Sequence, residues 1–248
     1  MNVVAIQGSP RRGGNTEIVL DAVLAGLIEA SPAHVTVVRA ADKKISGCVE
    51  CFTCQTAKDV PGCAVQDDMR EVYAALLAAD LVILASPVFC WSVTAQLKAV
   101  LDRLYACFKF DETPPRCLLA GKKMALVVTS GGLREHGAAL CEALYDSLVA
   151  FSQAADGGRL MCHLMKPPSQ TRNDAALLAR AKEFGRSLGK PSTRMSTRME
   201  EVERAAILQA LRENKYNRTE TARALGISRR ALIYKLRRFA KQGYPIDP

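Results

Sequence analysis

Four of the nine cysteines crowd into sixteen residues: Cys48, Cys51 and Cys54 keep a C-x-x-C-x-x-C rhythm, and Cys63 follows after eight further positions. Thiolates so spaced can close on one corner of an iron–sulfur cubane, with the fourth arriving from a loop turned by Pro61-Gly62. They can also hold zinc in a closed tetrahedron, or work as reactive, disulfide-forming thiols. An odd cysteine total with this crowding argues against a disulfide framework. A second group suits phosphate. In Gly8-Ser-Pro-Arg-Arg-Gly-Gly-Asn-Thr16 the glycines allow close backbone approach, and Ser9, Asn15 and Thr16 offer short polar side chains at the point where a helix begins. Free N–H groups and the helix dipole favour an anion there. The loop lacks the Gly-Lys-Ser/Thr of a P-loop and the spacing of a dinucleotide fingerprint. Ser86-Pro-Val-Phe-Cys-Trp-Ser92 sets Phe89 and the only tryptophan, Trp91, on a connector, where they cover something flat or plug the end of the core. Thr129-Ser-Gly-Gly132 supplies a further glycine loop. His136, on a loop, reads as solvated, and Cys90, Cys107, Cys117, Cys141 and Cys162 as buried or incidental.

These loops need a frame. Val3 to Ile6, Val35 to Val38, Leu81 to Leu84 and Ala125 to Val128 are short aliphatic runs without polar alternation, as in strands buried on both faces, and Arg159 to His163 is a fifth. Helical stretches follow them near Thr16–Glu29, Asp68–Ala79, Thr94–Cys107, Gly137–Phe151 and Asn173–Leu188. Strand and helix in alternation predict an α/β fold: a doubly wound parallel five-stranded sheet, in which ligands gather at the carboxyl ends of the strands. All the loops above fall on that edge. The predicted domains are 1–188 and 198–248, joined by a polar linker at 189–197. Apolar content of 49% fits a globular core, and no apolar run is long enough to span a bilayer. The chain opens directly into a strand, so the expected compartment is the cytoplasm, with no membrane partner.

Of the net charge of +9, residues 191–248 carry +7. Within them, Gly226 sits where a turn needs positive φ, and Ser228 where a second helix needs a cap. Leu232, Leu236 and Phe239 form one buried stripe, leaving Arg229, Arg230, Lys235, Arg237 and Arg238 largely outside it. This is the layout of a small all-α helix-turn-helix reader of DNA. A protein-docking helical hairpin is the alternative.

Glu201 to Phe239, through Ile207-Leu-Gln-Ala-Leu211, Asn217, Thr221-Ala-Arg-Ala-Leu-Gly-Ile-Ser-Arg-Arg230 and Tyr234-Lys-Leu236, resembles the factor-for-inversion-stimulation type of helix-turn-helix. Ala231 stands where many members carry threonine. The resemblance implies a dimer, formed through the helix near Met199–Asn214. The candidate DNA contacts are Thr219, Ser228, Arg229, Arg230, Tyr234, Lys235 and Arg238. The first 190 residues resemble the flavodoxin-like, NAD(P)H-dependent FMN reductase family, and within it the iron–sulfur flavoproteins. The likeness runs through Gly8-Ser-Pro-Arg11, Gly14-Asn-Thr16, the four cysteines, Asp67-Asp-Met69, Ser86-Pro-Val88, Leu101-Asp-Arg103 and Thr129-Ser-Gly-Gly132. It implies FMN, with Ser9, Arg11, Gly14, Asn15 and Thr16 around the phosphate. Pro87, Val88, Phe89, Trp91 and Ser92 would run along the ring, with Thr129, Ser130, Gly131 and Gly132 on its other edge. It also implies NAD(P)H as donor and favours a 4Fe–4S cluster on Cys48, Cys51, Cys54 and Cys63. Asp67-Asp68 is then expected to cap a helix, and Asp102-Arg103 to form a structural pair near a dimer face.

The function expected from both halves is a flavin-dependent redox sensor coupled to DNA binding, acting as a homodimer or a dimer of dimers. The alternatives are an NAD(P)H-dependent oxidoreductase whose tail only dimerises or localises it, and a vestigial flavin fold serving as a dimerisation platform.

Overall fold

The computed structural model describes residues 1–111, 115–190 and 204–241 together with Tyr244 and Ile246; of Arg230, Ala231, Tyr234, Arg237, Arg238 and Lys241 it describes the backbone. The chain divides into two compact units, Met1–Pro191 and Ser192–Pro248. The segment expected as linker and the start of the helix near Met199 fall largely outside the described residues.

In the first unit, β1 (Asn2–Gln7), β2 (His34–Arg39), β3 (Leu81–Pro87), β6 (Lys123–Thr129) and β7 (Ala155–Cys162) form one parallel sheet in the order β2-β1-β3-β6-β7. Strand order reverses between β1 and β3. A two-stranded hairpin, β4 (Phe108–Lys109) with β5 (Arg116–Cys117), stands apart from the sheet. Side chains alternate through the pleat. Val4, Ile6, Val82, Leu84, Leu126 and Val128 face a core shared with α2 (Met69–Ala78), α3 (Ala95–Arg103) and α4 (Ala139–Ser152). Val3, Ala5, Leu81, Ile83, Ala125 and Val127 face α1 (Asn15–Ala30) and α6 (Ala175–Gly189). Burial on both faces is why these strands read as unbroken aliphatic runs.

The five strands and their helices fall where the sequence places them, with local differences. β7 begins at Ala155 rather than Arg159, because glycines 157 and 158 carry no side chain for a pattern to read. The helix expected over Thr94–Cys107 ends at Arg103 and tightens into a 3-10 turn over Leu104–Cys107. The hairpin and the short α5 (Pro168–Thr171) were not foreseen.

Helices α1 and α6 cross in backbone contact. A methyl group built on Gly185 would lie 1.9 Å from the Val23 carbonyl oxygen, and one on Gly26 would lie 2.0 Å from that of Lys182. The two glycines interlock.

In the second unit, helical residues 204–213 form α7, followed by α8 (Arg218–Ala224) and α9 (Arg229–Lys241). Ile207, Leu208, Leu211, Ala222, Leu232, Leu236 and Phe239 make its core, so the expected apolar stripe is the buried one. Asn217 caps α8 by accepting from the Thr219 and Glu220 amides, and Gly226 turns the chain at φ 63°.

Candidate functional site

Loops from three strands are locked to one another at the carboxyl edge of the sheet, beside the point where strand order reverses. The Gly8 amide donates to the Ala85 carbonyl at 2.7 Å, and the Thr94 hydroxyl donates to the Gly8 carbonyl at 2.7 Å. Thr94 also caps α3 through the Leu97 amide, while its own amide donates to Ser86 Oγ. The hydroxyls of Thr16 and Thr129 meet at 2.7 Å, and the Val88 amide donates to the Thr129 carbonyl at 2.9 Å. Four of these bonds, Gly8–Ala85, Thr94–Gly8, Thr16–Thr129 and Val88–Thr129, join residues far apart in sequence, and together they hold the three loops at one place.

At its floor is the N-terminus of α1. Gly14, the residue before the helix, gives no side-chain cap, so the first-turn amides of this 16-residue helix have no capping group. Ser9 Oγ accepts from the Arg11 amide at 3.3 Å, and the Arg11 side chain is exposed. The Asn15 amide nitrogen donates to the Lys166 carbonyl at 2.8 Å, whereas Asn15 Oδ1 is buried without a hydrogen-bond partner. An open helix start for a phosphate beside a buried acceptor for a hydroxyl fits a sugar phosphate.

The third loop is strained. Phe89 and Ser92 exchange backbone hydrogen bonds of 2.9 and 3.0 Å, and the intervening Cys90 and Trp91 lie at φ 45° and 63°. Positive φ at both central residues defines a turn that normally takes Asn-Gly; on non-glycine residues it costs about 1–3 kcal/mol each and marks functional positions. The turn leaves Phe89 at 49% and Trp91 at 66% exposure. Gly137, at φ 112°, makes room for it: a methyl there would lie 2.6 Å from Trp91 Cα. Gly131 faces open space, while the Ser130 hydroxyl is used internally, donating to the Gly132 carbonyl at 2.7 Å. His136 is exposed and accepts from the Leu133 amide.

Sequence reasoning missed the loop after β7, where Arg172 donates to the Gly13 carbonyl at 3.1 Å and His163 meets Ser130. It also missed Glu17, which accepts from the Gly13 amide at 2.6 Å and pairs with Arg39 at 3.1 Å. A glutamate at the third position of a helix is a readable signal of this kind. The loop after β7 offered none.

Cys48, Cys51, Cys54 and Cys63 all line one cavity of about 320 Å³, together with Arg103 and Tyr105. Cys48 and Cys51 are exposed, Cys54 is buried, and all are free thiols. Hydrogen bonds from the Thr53 side chain and amide hold the Cys51 thiol below its ordinary pKa. Two buried cations fix the loop. Lys109 donates to the carbonyls of Cys54 and Pro61, and Arg103 donates to those of Ser46 and Val65 as well as to Asp67. Four thiols on one cavity suit a thiophilic group in donor chemistry. Their side chains do not gather it: among the described residues no three His, Cys, Asp or Glu converge as a metal site.

Arg103 corrects an expectation. It pairs with Asp67 at 2.8 Å, both almost fully buried, while Asp102 pairs with Lys98 on the helix surface. Asp67 accepts from the Met69 amide, as a capping residue would, but also from Ser46, and Asp68 accepts from Lys44. Both carboxylates fasten the cysteine segment. Burial alone would raise the pKa of Asp67; hydrogen bonds from Arg103 and the two amides outweigh it and hold it below the usual carboxylate range. A carboxylate with a lowered folded pKa contributes stability above its unfolded value, near 4, and that contribution is lost as pH falls through the folded one. Arg103→Met should strand Asp67 and destabilise the unit by about 3–5 kcal/mol, read by urea denaturation at neutral pH. The deficit should shrink as pH falls and Asp67 takes up a proton, because the neutral carboxyl no longer needs the guanidinium.

The sheet order and the helices packed on both of its faces define a flavodoxin-like fold. The chain belongs to the NADPH-dependent FMN reductase family, whose model matches residues 1–160, and residues 198–239 match the Fis family of bacterial regulatory proteins. It is similar to an iron-sulfur flavoprotein of Archaeoglobus fulgidus, 43% identical over 42% of this chain and 46% of the relative. An iron-sulfur flavoprotein of Methanocaldococcus jannaschii is 39% identical over 55% of this chain and 65% of the relative. The chain thus spans about half to two thirds of these relatives. In fold it resembles the NAD(P)H:quinone oxidoreductase of Methanothermobacter marburgensis, with a TM-score of 0.59 at 19% identity over 76% of this chain and 98% of that one. It also resembles an FMN-dependent NADH-azoreductase of Bacillus anthracis in complex with FMN, with a TM-score of 0.56 at 13% identity over 77% and 100%.

Proposed function

We propose that this protein is an FMN-dependent redox sensor that regulates transcription through its helix-turn-helix unit. The observation that carries the proposal is the locking of three strand loops around an uncapped helix start, in a chain that also holds a DNA-reading layout. FMN, when bound, accepts hydride equivalents from NAD(P)H and passes electrons on singly or in pairs. The chain's own residues bind and orient it. Ser9, Arg11, Gly14 and the α1 amides hold the phosphate, Asn15 Oδ1 accepts a sugar hydroxyl, and Thr16 with Thr129 closes the pocket. Pro87 to Ser92 shields one side of the ring from water, and Thr129 to Gly132 borders the other edge. No side-chain acid or base is required. Cys48, Cys51, Cys54 and Cys63 would hold a 4Fe–4S cluster, a reading supported by the shared cavity and by the names of the two archaeal relatives; iron and sulfide analysis after anaerobic purification tests it.

On DNA, α9 is the reading helix. Arg229 and Thr219 are exposed, and Ser228 precedes α9 with its carbonyl accepting the Leu232 amide at 3.0 Å. Arg230, Tyr234, Lys235 and Arg238 complete the proposed contacts, on a dimer. Arg229→Ala is expected to weaken operator binding and reduce the slope of log affinity against log salt by about 1. An unchanged slope would remove Arg229 from the interface.

The deciding test measures operator affinity with FMN oxidised and then reduced. Different affinities support the sensor. Equal affinities, with rapid NAD(P)H turnover indifferent to DNA, support an oxidoreductase instead, a reading favoured by the solvent exposure of the Phe89–Trp91 turn.

A further inference from the structure

The segment that follows β7 is bonded to both ends of the proposed flavin site. At the phosphate end, the Lys166 carbonyl accepts from Asn15 and Arg172 donates to the Gly13 carbonyl. At the ring end, the amides of Met165 and Leu164 donate to the carbonyls of Ser130 and Gly132 at 3.0 and 3.3 Å. The same segment, with the start of α6, lines a separate cavity of about 360 Å³.

The chemistry of that cavity is cationic. Lys166 and Arg180 line it with His163. Arg180 Nη2 donates to the Met161 carbonyl at 3.1 Å and to Cys162 Sγ at 3.4 Å, which anchors the guanidinium at the strand end and leaves Nε and Nη1 uncommitted among the described residues. Asp174 is the one carboxylate in the wall, and its Oδ1 accepts the Leu177 amide as the cap of α6. The helix start is therefore closed, and the side chains would have to hold an anion. The Ser130 hydroxyl donates to the Gly132 carbonyl and lies 3.2 Å from His163 Nδ1, which ties the ring to the loop after β6.

Lys166 and Arg180 outweigh the single carboxylate of Asp174, whose Oδ1 is taken by the Leu177 amide, and two cations match a phosphate dianion. We infer that this cavity receives a phosphomonoester, and that its occupancy is coupled to FMN through residues 163–172. The coupling rests on the flavin reading; the anion site does not. Two sources share the chemistry: the 2′-phosphoribose of the nicotinamide donor and a free sugar phosphate.

The test uses the full chain saturated with FMN, so that the start of α1 is filled, and titrates adenosine 2′-monophosphate, ribose 5-phosphate and adenosine by calorimetry. A phosphomonoester should bind and adenosine should not. Preference for the 2′-monophosphate assigns the site to the donor; equal binding or preference for ribose 5-phosphate assigns it to a free metabolite. Arg180→Gln should weaken the phosphomonoester at least about tenfold while leaving FMN affinity without the probe unchanged, and Arg180→Lys should recover part of the loss. FMN and the probe should strengthen each other by one common factor. No heat from either phosphomonoester, or binding indifferent to Arg180→Gln, overturns the site. Should the chain take up no FMN, the loss of phosphomonoester binding in apo Arg180→Gln relative to the apo chain still decides the anion site, and only the flavin reading is lost.

Discussion

Asn15→Asp is expected to lower FMN affinity about 100- to 1,000-fold. Two like charges about 4 Å apart near a protein surface repel by about 4 kcal/mol, and the new carboxylate would stand at the first helical position, beside the bound phosphate. It would also turn the Asn15 donor, which holds the Lys166 carbonyl at 2.8 Å, into an acceptor facing an acceptor. The backbone and the size of the side chain are kept, so folding should be spared. Trp91 reports the result: it is the only tryptophan and sits in the turn assigned to the ring, so its emission should fall as FMN binds. Wild-type quenching that persists at the same FMN concentrations in the variant would rule out the α1 start as the phosphate seat. Asn15→Ser, which keeps a neutral polar group, should lose far less.

The second large effect concerns folding alone. Gly185→Val would place branched carbons where even a single methyl falls 1.9 Å from the Val23 carbonyl oxygen. Overpacking of a close contact usually costs about 1–3 kcal/mol, but here the obstacle is backbone on a helix that cannot yield without leaving the sheet. A loss of about 4 kcal/mol or more is expected, enough to unfold much of a marginally stable unit at 37 °C. Circular dichroism melts would show it. A melting temperature within a few degrees of wild type would mean that α1 and α6 sit farther apart than described here. Gly189→Ala is the matched control: its methyl would meet the Cβ atoms of Ala30 and Ser31 at 3.3 Å, a tightness that a shift of a few tenths of an ångström relieves.

Much of this architecture was legible in the sequence, for identifiable reasons. Strands buried on both faces are written as aliphatic runs, and Val3 to Ile6 or Leu81 to Leu84 have no other reading. The helix-turn-helix was legible because Gly226 and the Leu232, Leu236 and Phe239 stripe are local signals. What stayed hidden is written in no local pattern. Arg103 belongs to Asp67, 36 positions away, and nothing in Leu-Asp-Arg distinguishes it from a surface pair. The hairpin of Phe108–Lys109 and Arg116–Cys117 is too short for any periodicity to develop. The loop after β7 joins the site through the carbonyl of Lys166 and the amides of Leu164 and Met165, and backbone groups are common to every residue type. The site was therefore readable where side chains build it and silent where the main chain does.

The interlocked glycines have a mechanical consequence. The first unit ends on α6, and α6 is keyed, backbone to backbone, to the helix whose start is assigned to the phosphate. At the two glycines no side chain separates the backbones. If filling the pocket tilts α1 even slightly, α6 must follow at that crossing, because neither helix can slide past the other there.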